Sequence, residues 1–198
     1  MKILFICNDL EYFDIHRRLH MERMKQLGHE IVIASGRAER WDLVESYGPI
    51  KVIPLNVERQ RFSILGDLNL VRTIRRLIMH LRPDVVHAIT VKPVVYTACA
   101  SLTLSKRKLS NARFVLTFPG LGKIFEETES VGSKLRKALV AGALRLASRR
   151  ANIELIVENP EDRKRLIAAN AASPGQITVV NGAGIDLNEF KPGRKAGP

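Results

Sequence analysis

The stretch Arg82-Pro83-Asp84-Val85-Val86-His87-Ala88-Ile89-Thr90-Val91-Lys92-Pro93 decides the fold. A helix cannot run through Pro83, so the helix before it ends there. Asp84 opens the β-branched run Val85-Val86, too brief for a helix and suited to a parallel strand buried on both faces. Polarity then flips: His87, Thr90 and Lys92 fall within six residues, closed by Pro93. In an open α/β sheet, ligands sit beyond the carboxyl ends of the strands, where the strand order reverses. A central strand that releases a histidine, a hydroxyl and a lysine at that end marks a binding edge.

Outward from this stretch, apolar runs predict strands at Ile3–Cys7, Glu30–Ser35 and Ile50–Pro54 before it, and at Arg113–Thr117, Ile153–Val157 and Ile177–Val180 after it. Leu19, Met24 and Leu27 carry the first helix, which Gly28 ends. Asp67 caps a helix whose stripe is Leu70, Val71, Ile74, Leu77, Ile78 and Leu81. Small residues from Val94 to Leu104 make a helix packed close to the sheet. Ser133–Arg150 is a helix with Leu135, Leu139, Gly142 and Leu146 facing inward, and Pro160–Ala169 starts at a favoured proline position. This alternation predicts an α/β fold, a doubly wound, mainly parallel, seven-stranded Rossmann-like sheet over residues 1–180, with 181–198 as a glycine- and proline-rich linker. Strand one is expected beside strand four, so that Asn8–Arg17 and Ala88–Pro93 line one groove.

The 198 residues suffice for a good core, and 45% hydrophobic content is ordinary for a globular chain. Thirty-two Lys and Arg against twenty Asp and Glu leave a net charge of +12, which favours anionic partners: phosphates, an acidic membrane face or nucleic acid. The two cysteines, Cys7 and Cys99, sit in apolar surroundings without metal or redox spacing, and read as buried thiols of a reducing cytoplasm. No metal and no cofactor is called for. The apolar runs Ile3–Cys7 and Ala138–Leu144 are too short for a signal peptide or a membrane span, so membrane contact is expected to be peripheral.

The loop after strand one, Asn8 to Arg17, contains no glycine, which argues against a dinucleotide-dependent oxidoreductase or epimerase. It places His16 and Arg17 where the next helix starts, with Asn8 and Phe13 lining the cleft. Arg17 suits a bidentate phosphate contact and Lys92 a point-charge one. Thr90 either joins them or shapes the turn before Pro93, and His87 reads as a satisfied, partly buried histidine. Gly120 and Gly122 permit close backbone approach to a ligand. Glu158 and Asn159 end strand six near the cleft, while Asp162 and Arg163 read as a helix-start pair. Lys134, Lys137, Arg145 and Arg149 share about a third of one helix's circumference. With the turn Lys106-Arg107-Lys108, this arc either rests on anionic headgroups or is a solvated face. Glu58, Arg59 and Arg61 sit in the long loop before Asp67.

Four segments together resemble the amino-terminal half of a retaining glycosyltransferase of the GT-B fold. They are Phe13-Asp14-Ile15-His16-Arg17; Arg82 to His87 running into Thr90-Val91-Lys92-Pro93; Gly120-Leu121-Gly122-Lys123-Ile124-Phe125; and Glu158 to Arg163 followed by Asn181 to Phe190. Thr-x-Lys-Pro with Gly-Leu-Gly is similar to the subgroup that extends lipid-diphosphate-linked saccharides in polysaccharide assembly. The resemblance implies transfer from a nucleotide-sugar to an undecaprenyl-diphosphate-linked saccharide at the inner face of the cytoplasmic membrane. This half mainly holds the acceptor, through His16, Arg17, Thr90, Lys92, Gly120 and Gly122. It implies front-face attack in which a donor phosphate oxygen takes the acceptor proton, so no protein base is assigned. The chain stops just after Phe190-Lys191-Pro192, where the second, donor-binding domain is expected to begin, so half of an enzyme is the expectation. The competing class is a basic α/β module that binds nucleic acid or other polyanions without catalysis. Charge favours it, but no aromatic platform with interleaved arginines is present.

Overall fold

The computed structural model describes residues 1–36, 40–55, 64–105, 112–122, 125, 130–150 and 152–184. Glu58, Arg59, Arg61, the Lys106–Lys108 turn, Lys123, Ile124 and the linker from 185 onward lie outside the described residues. Seven strands form one sheet: β1 (Lys2–Cys7), β2 (Glu30–Ser35), β3 (Lys51–Pro54), β4 (Val85–Ile89), β5 (Arg113–Phe118), β6 (Ile153–Val157) and β7 (Ile177–Val179). Every pairing is parallel, in the order β3-β2-β1-β4-β5-β6-β7. The fold is the doubly wound, Rossmann-like α/β sheet expected, and the order reverses between β1 and β4.

The described helices are α1 (Leu10–Gln26), α2 (Trp41–Ser46), α3 (Ile64–Leu81), α4 (Val91–Leu102), α5 (Val131–Arg150) and α6 (Pro160–Ala168). None of them is long and apolar enough to cross a membrane. Strand alternation sorts the core into two layers. Leu4, Ile6, Val86, Ala88, Phe114 and Leu116 face α3, α4 and α5. Ile3, Phe5, Ile31 and Ile33 face Leu10, Phe13 and Met21 of α1. On that second face α1 and α2 cover the β1–β3 side. Val85, His87, Val115 and Ile156 floor a groove of about 460 Å³ beside Met24 of α1.

Several helix assignments differ from the expectation, each for a physical reason. In α1 the buried stripe is Leu10, Phe13, Arg17 and Met21, while Leu19 and Leu27 are exposed. The helix starts earlier than expected because Asp9 caps it, accepting from the Glu11 and Tyr12 amides at 2.9 and 3.4 Å. In α5 the inward residues are Val140, Ala141, Leu144, Ala147 and Ser148, and the expected inner leucines 135, 139 and 146 face outward. Both sets have helical spacing; the smaller one lets α5 approach α4 closely. Asp67 is not a cap but lies inside α3, where it accepts the Tyr96 hydroxyl at 2.6 Å and ties α3 to α4. The helix of the opening stretch does end as expected: Arg82 takes φ 48°, its amide bonds the Ile78 carbonyl, and Pro83 follows.

Candidate functional site

At the carboxyl end of β4 the chain turns into α4 through a single residue. Thr90 has φ 73° and ψ 160°, backbone space that is essentially glycine's alone. Its amide bonds the Thr117 carbonyl at 3.1 Å. Its hydroxyl is buried and has no hydrogen-bond partner among the described residues. The helix begins at Val91, three residues before the expectation, because proline is tolerated in a first turn and Pro93 sits there. Lys92 is thereby carried into that turn and buried, rather than left in an exposed loop.

On the neighbouring strand, the register Ile6–Ala88 puts Asn8 level with Thr90, two residues further along. Asn8 Oδ1 is likewise buried without a partner among the described residues. Two orphaned polar oxygens therefore flank the point where the sheet order reverses. Gly122 approaches from the loop after β5: a Cβ there would stand 4.0 Å from Val91 Cγ2. That is ordinary contact, so Gly122 is required by its φ of 56° rather than by lack of space, and Gly120 by neither.

A second cluster forms on the other face. Arg17 lies in the buried stripe of α1 and donates through Nη2 to Glu158 Oε1 at 2.6 Å, just beyond β6. Its Nε is buried with no partner among the described residues. His87, packed against the Phe5 ring at a centroid distance of 5.3 Å, shares a 2.8 Å hydrogen bond between Nε2 and Thr117 Oγ1. Burial first, then the charge of Arg17 and the charge that His20 gains in acid, bring its pKa down to about 3. His87 is a neutral hydrogen-bonding group at ordinary pH, as the sequence reading expects. Cys7 is sealed beside Ser35 Oγ at 3.2 Å and pushed up to about 12 by burial, an unreactive thiol. Cys99 is half-buried.

The nominated residues thus fall into two groups. Thr90, Lys92, Gly122 and Asn8 gather at the edge around the start of α4. Arg17, His87 and Glu158 gather over β4–β6, on the face that carries α1. Because α1 and α4 pack on opposite faces, Asn8–Arg17 and Ala88–Pro93 share the sheet's edge but not one groove. His16 joins neither group: it is exposed, its ring against Tyr12 at 4.4 Å, nearly two turns into α1 rather than at its start. Phe13 is core, edge-on to Phe5 at 5.2 Å. Asn159 caps α6, accepting from the Asp162 amide at 2.7 Å, and Arg163 bonds the Ile177 and Pro174 carbonyls. Lys134, Lys137, Arg145 and Arg149 all lie on α5. Sequence reading misses Thr117, whose hydroxyl meets His87 and whose carbonyl holds Thr90. Its signal is a polar residue near the end of an apolar strand. Among the described residues, no group of three His, Cys, Asp or Glu side chains is placed to hold a metal.

A protein-family profile described as glycosyl transferase 4-like matches residues 2–159. No curated protein sequence gives a significant match. Among solved structures, a glycosyltransferase from Rickettsia africae superposes with a TM-score of 0.65 at 19% identity, over 96% of this chain and 45% of its own. HepE of Anabaena, solved with UDP and glucose, gives 0.58 at 22%, over 98% and 47%. A UDP-N-acetylglucosamine 2-epimerase described from Listeria monocytogenes gives 0.59 at 16%, over 90% and 44%. At these identities the likeness is one of fold, and the chain spans between 44% and 47% of those proteins' lengths.

Proposed function

Since the chain belongs to the glycosyl transferase 4-like family, we propose that it is the acceptor-side half of a retaining glycosyltransferase. In this reading a sugar passes from a nucleotide-sugar to an undecaprenyl-diphosphate-linked saccharide at the inner membrane face. Lys134, Arg145 and Arg149 turn toward anionic headgroups, while Lys137 is half-buried among the inward residues Val140, Ala141 and Leu144. The donor is held mainly by a second domain.

The observation that carries the reading is Thr90. Backbone strain of this kind costs on the order of 1–3 kcal/mol and gathers at ligand clamps. Here it coincides with a buried hydroxyl lacking a partner among the described residues, level with the equally unpartnered Asn8 Oδ1, at the sheet's switch point. The first turn of α4 adds backbone amides and the positive end of its dipole. Hydroxyl, carboxamide and helix amides together suit a ligand that carries both hydroxyls and phosphate, which is the chemistry of a glycosyl diphosphate. His87 is neutral and hydrogen-bonded to Thr117, so it fits front-face transfer, in which the donor phosphate takes the acceptor proton and no protein base is needed.

The test is steady-state kinetics on the full-length enzyme with a lipid-diphosphate-linked acceptor. Asn8→Ala and Lys92→Ala should raise the acceptor's KM roughly tenfold or more while moving the donor's little, since losing a hydrogen bond to a charged group costs about 1.5–3 kcal/mol. A rise confined to the donor KM would refute the acceptor assignment.

A further inference from the structure

The outward face of α5 is built the reverse of an ordinary surface helix. Its exposed ridge is Val131, Leu135, Leu139 and Leu146, with relative exposures of 81%, 60%, 65% and 54%. Its buried side relies on Ala141, Ala147 and Ser148 beside Val140 and Leu144. An amphipathic helix that serves only the core shows its large apolar groups inward. At about 100° per residue, the four ridge residues fall within an arc of about 80° and extend about 22 Å along the axis. Lys134 and Arg145 run along one border of the ridge, Arg136 stands off the other, and Arg149 lies in line with it. Residues 131–150 contain six Lys and Arg and no Asp or Glu.

We propose that α5 is an in-plane membrane-docking helix that sinks this ridge into the boundary between headgroups and acyl chains of an anionic lipid surface. Exposed leucines bordered by cations meet both demands of such a boundary, because long basic side chains can lay their methylenes along the ridge and keep their charges at the phosphates. A second copy of the chain is a poor occupant, since two cationic, acid-free faces would repel each other. The idea rests on the lipid-borne acceptor reading only in expecting a membrane nearby. It adds that apolar insertion, and not charge alone, holds the protein there.

The test is co-sedimentation of residues 1–198 with vesicles of phosphatidylglycerol and phosphatidylcholine that contain no saccharide-lipid. The acceptor assignment therefore stands or falls on the kinetics above, independently of this result. Wild type should bind, weaken as salt rises, and keep a measurable fraction bound at about 0.5 M, where screening is short-ranged. Leu135→Gln, Leu139→Gln and Leu146→Gln combined should weaken partitioning at least tenfold at every salt concentration, with the unfolding midpoint unmoved. Lys134→Gln, Arg145→Gln and Arg149→Gln combined should weaken it at low salt only. Independently, Leu139→Trp in a Trp41→Phe background should shift its emission to the blue on vesicles and be quenched by lipids brominated near the headgroup. Wild-type binding by the leucine variant, an unshifted emission from the introduced indole, or a solution dimer that the leucine substitutions dissolve would each overturn the proposal.

Discussion

Thr90 is held in glycine's backbone space by the sheet on one side and α4 on the other. Replacing it with glycine should remove the strain while loosening the unfolded chain, a net gain of about 1 kcal/mol in denaturant unfolding. The same change should weaken the acceptor, since the orphaned hydroxyl goes with it. Arg17 makes the opposite case. Glu158→Ala leaves its guanidinium buried and unpaired, an expected loss of about 3–5 kcal/mol, whereas Arg17→Met with Glu158→Leu should recover most of it. His87 sets a pH dependence. Its pKa is about 3 in the fold against about 6.5 in an unfolded chain. The unfolded state therefore binds more protons between those values, and stability should be full above about pH 6.5 and fall as pH drops toward the folded value. His87→Gln should flatten that slope in acid titrations followed by circular dichroism. The polarity flip from Val86 to His87 is legible in the sequence; Arg17's partner, 141 residues away, is not. Arg17 reads as a phosphate ligand at a helix start until the fold supplies its carboxylate.

Periodicity locates α5 but not its rotation, since two sets of positions share the helical spacing. Size alone favours the larger side chains inward, yet α4 is close enough that small residues must fill most of the space between the helices. Leu144→Ala should therefore cost about 2–5 kcal/mol, while Leu139→Ala should stay within about 0.5 kcal/mol; paired urea titrations decide. The start of α4 is misplaced in the sequence for a related reason. Pro93 reads as a stop, although a proline in the first turn forfeits no hydrogen bond. In α1 the Asp9 cap sets the start and so the buried stripe, a detail that an apolar count passes over. Strands fare better, because a run buried on both faces is continuously apolar and stands out from its polar flanks.

The adjacency of β1 and β4 is legible in the sequence, because the polar residues at the end of β4 mark a strand beside the point where a doubly wound sheet reverses. The layering of helices is less so: adjacency of β1 and β4 suggests that their loops join in one groove, although the helices that follow them pack on opposite faces. Residues 1–198 by themselves should fail to transfer sugar in a radiolabelled assay with a panel of nucleotide-sugars, because the barrier reduction from fixing donor and acceptor together needs both halves of the cleft. Turnover by these residues alone would refute the division of labour. The groove floored by Val85, Val115 and Ile156 bears on how the domain behaves in a tube. It offers a water-facing trough with an apolar floor, rimmed by Arg17, His20, His29 and Glu158. A reporter dye such as ANS should light up in the native state without any acid or denaturant. Brightness lost on adding a compound would then report that the trough has filled, without any knowledge of the reaction.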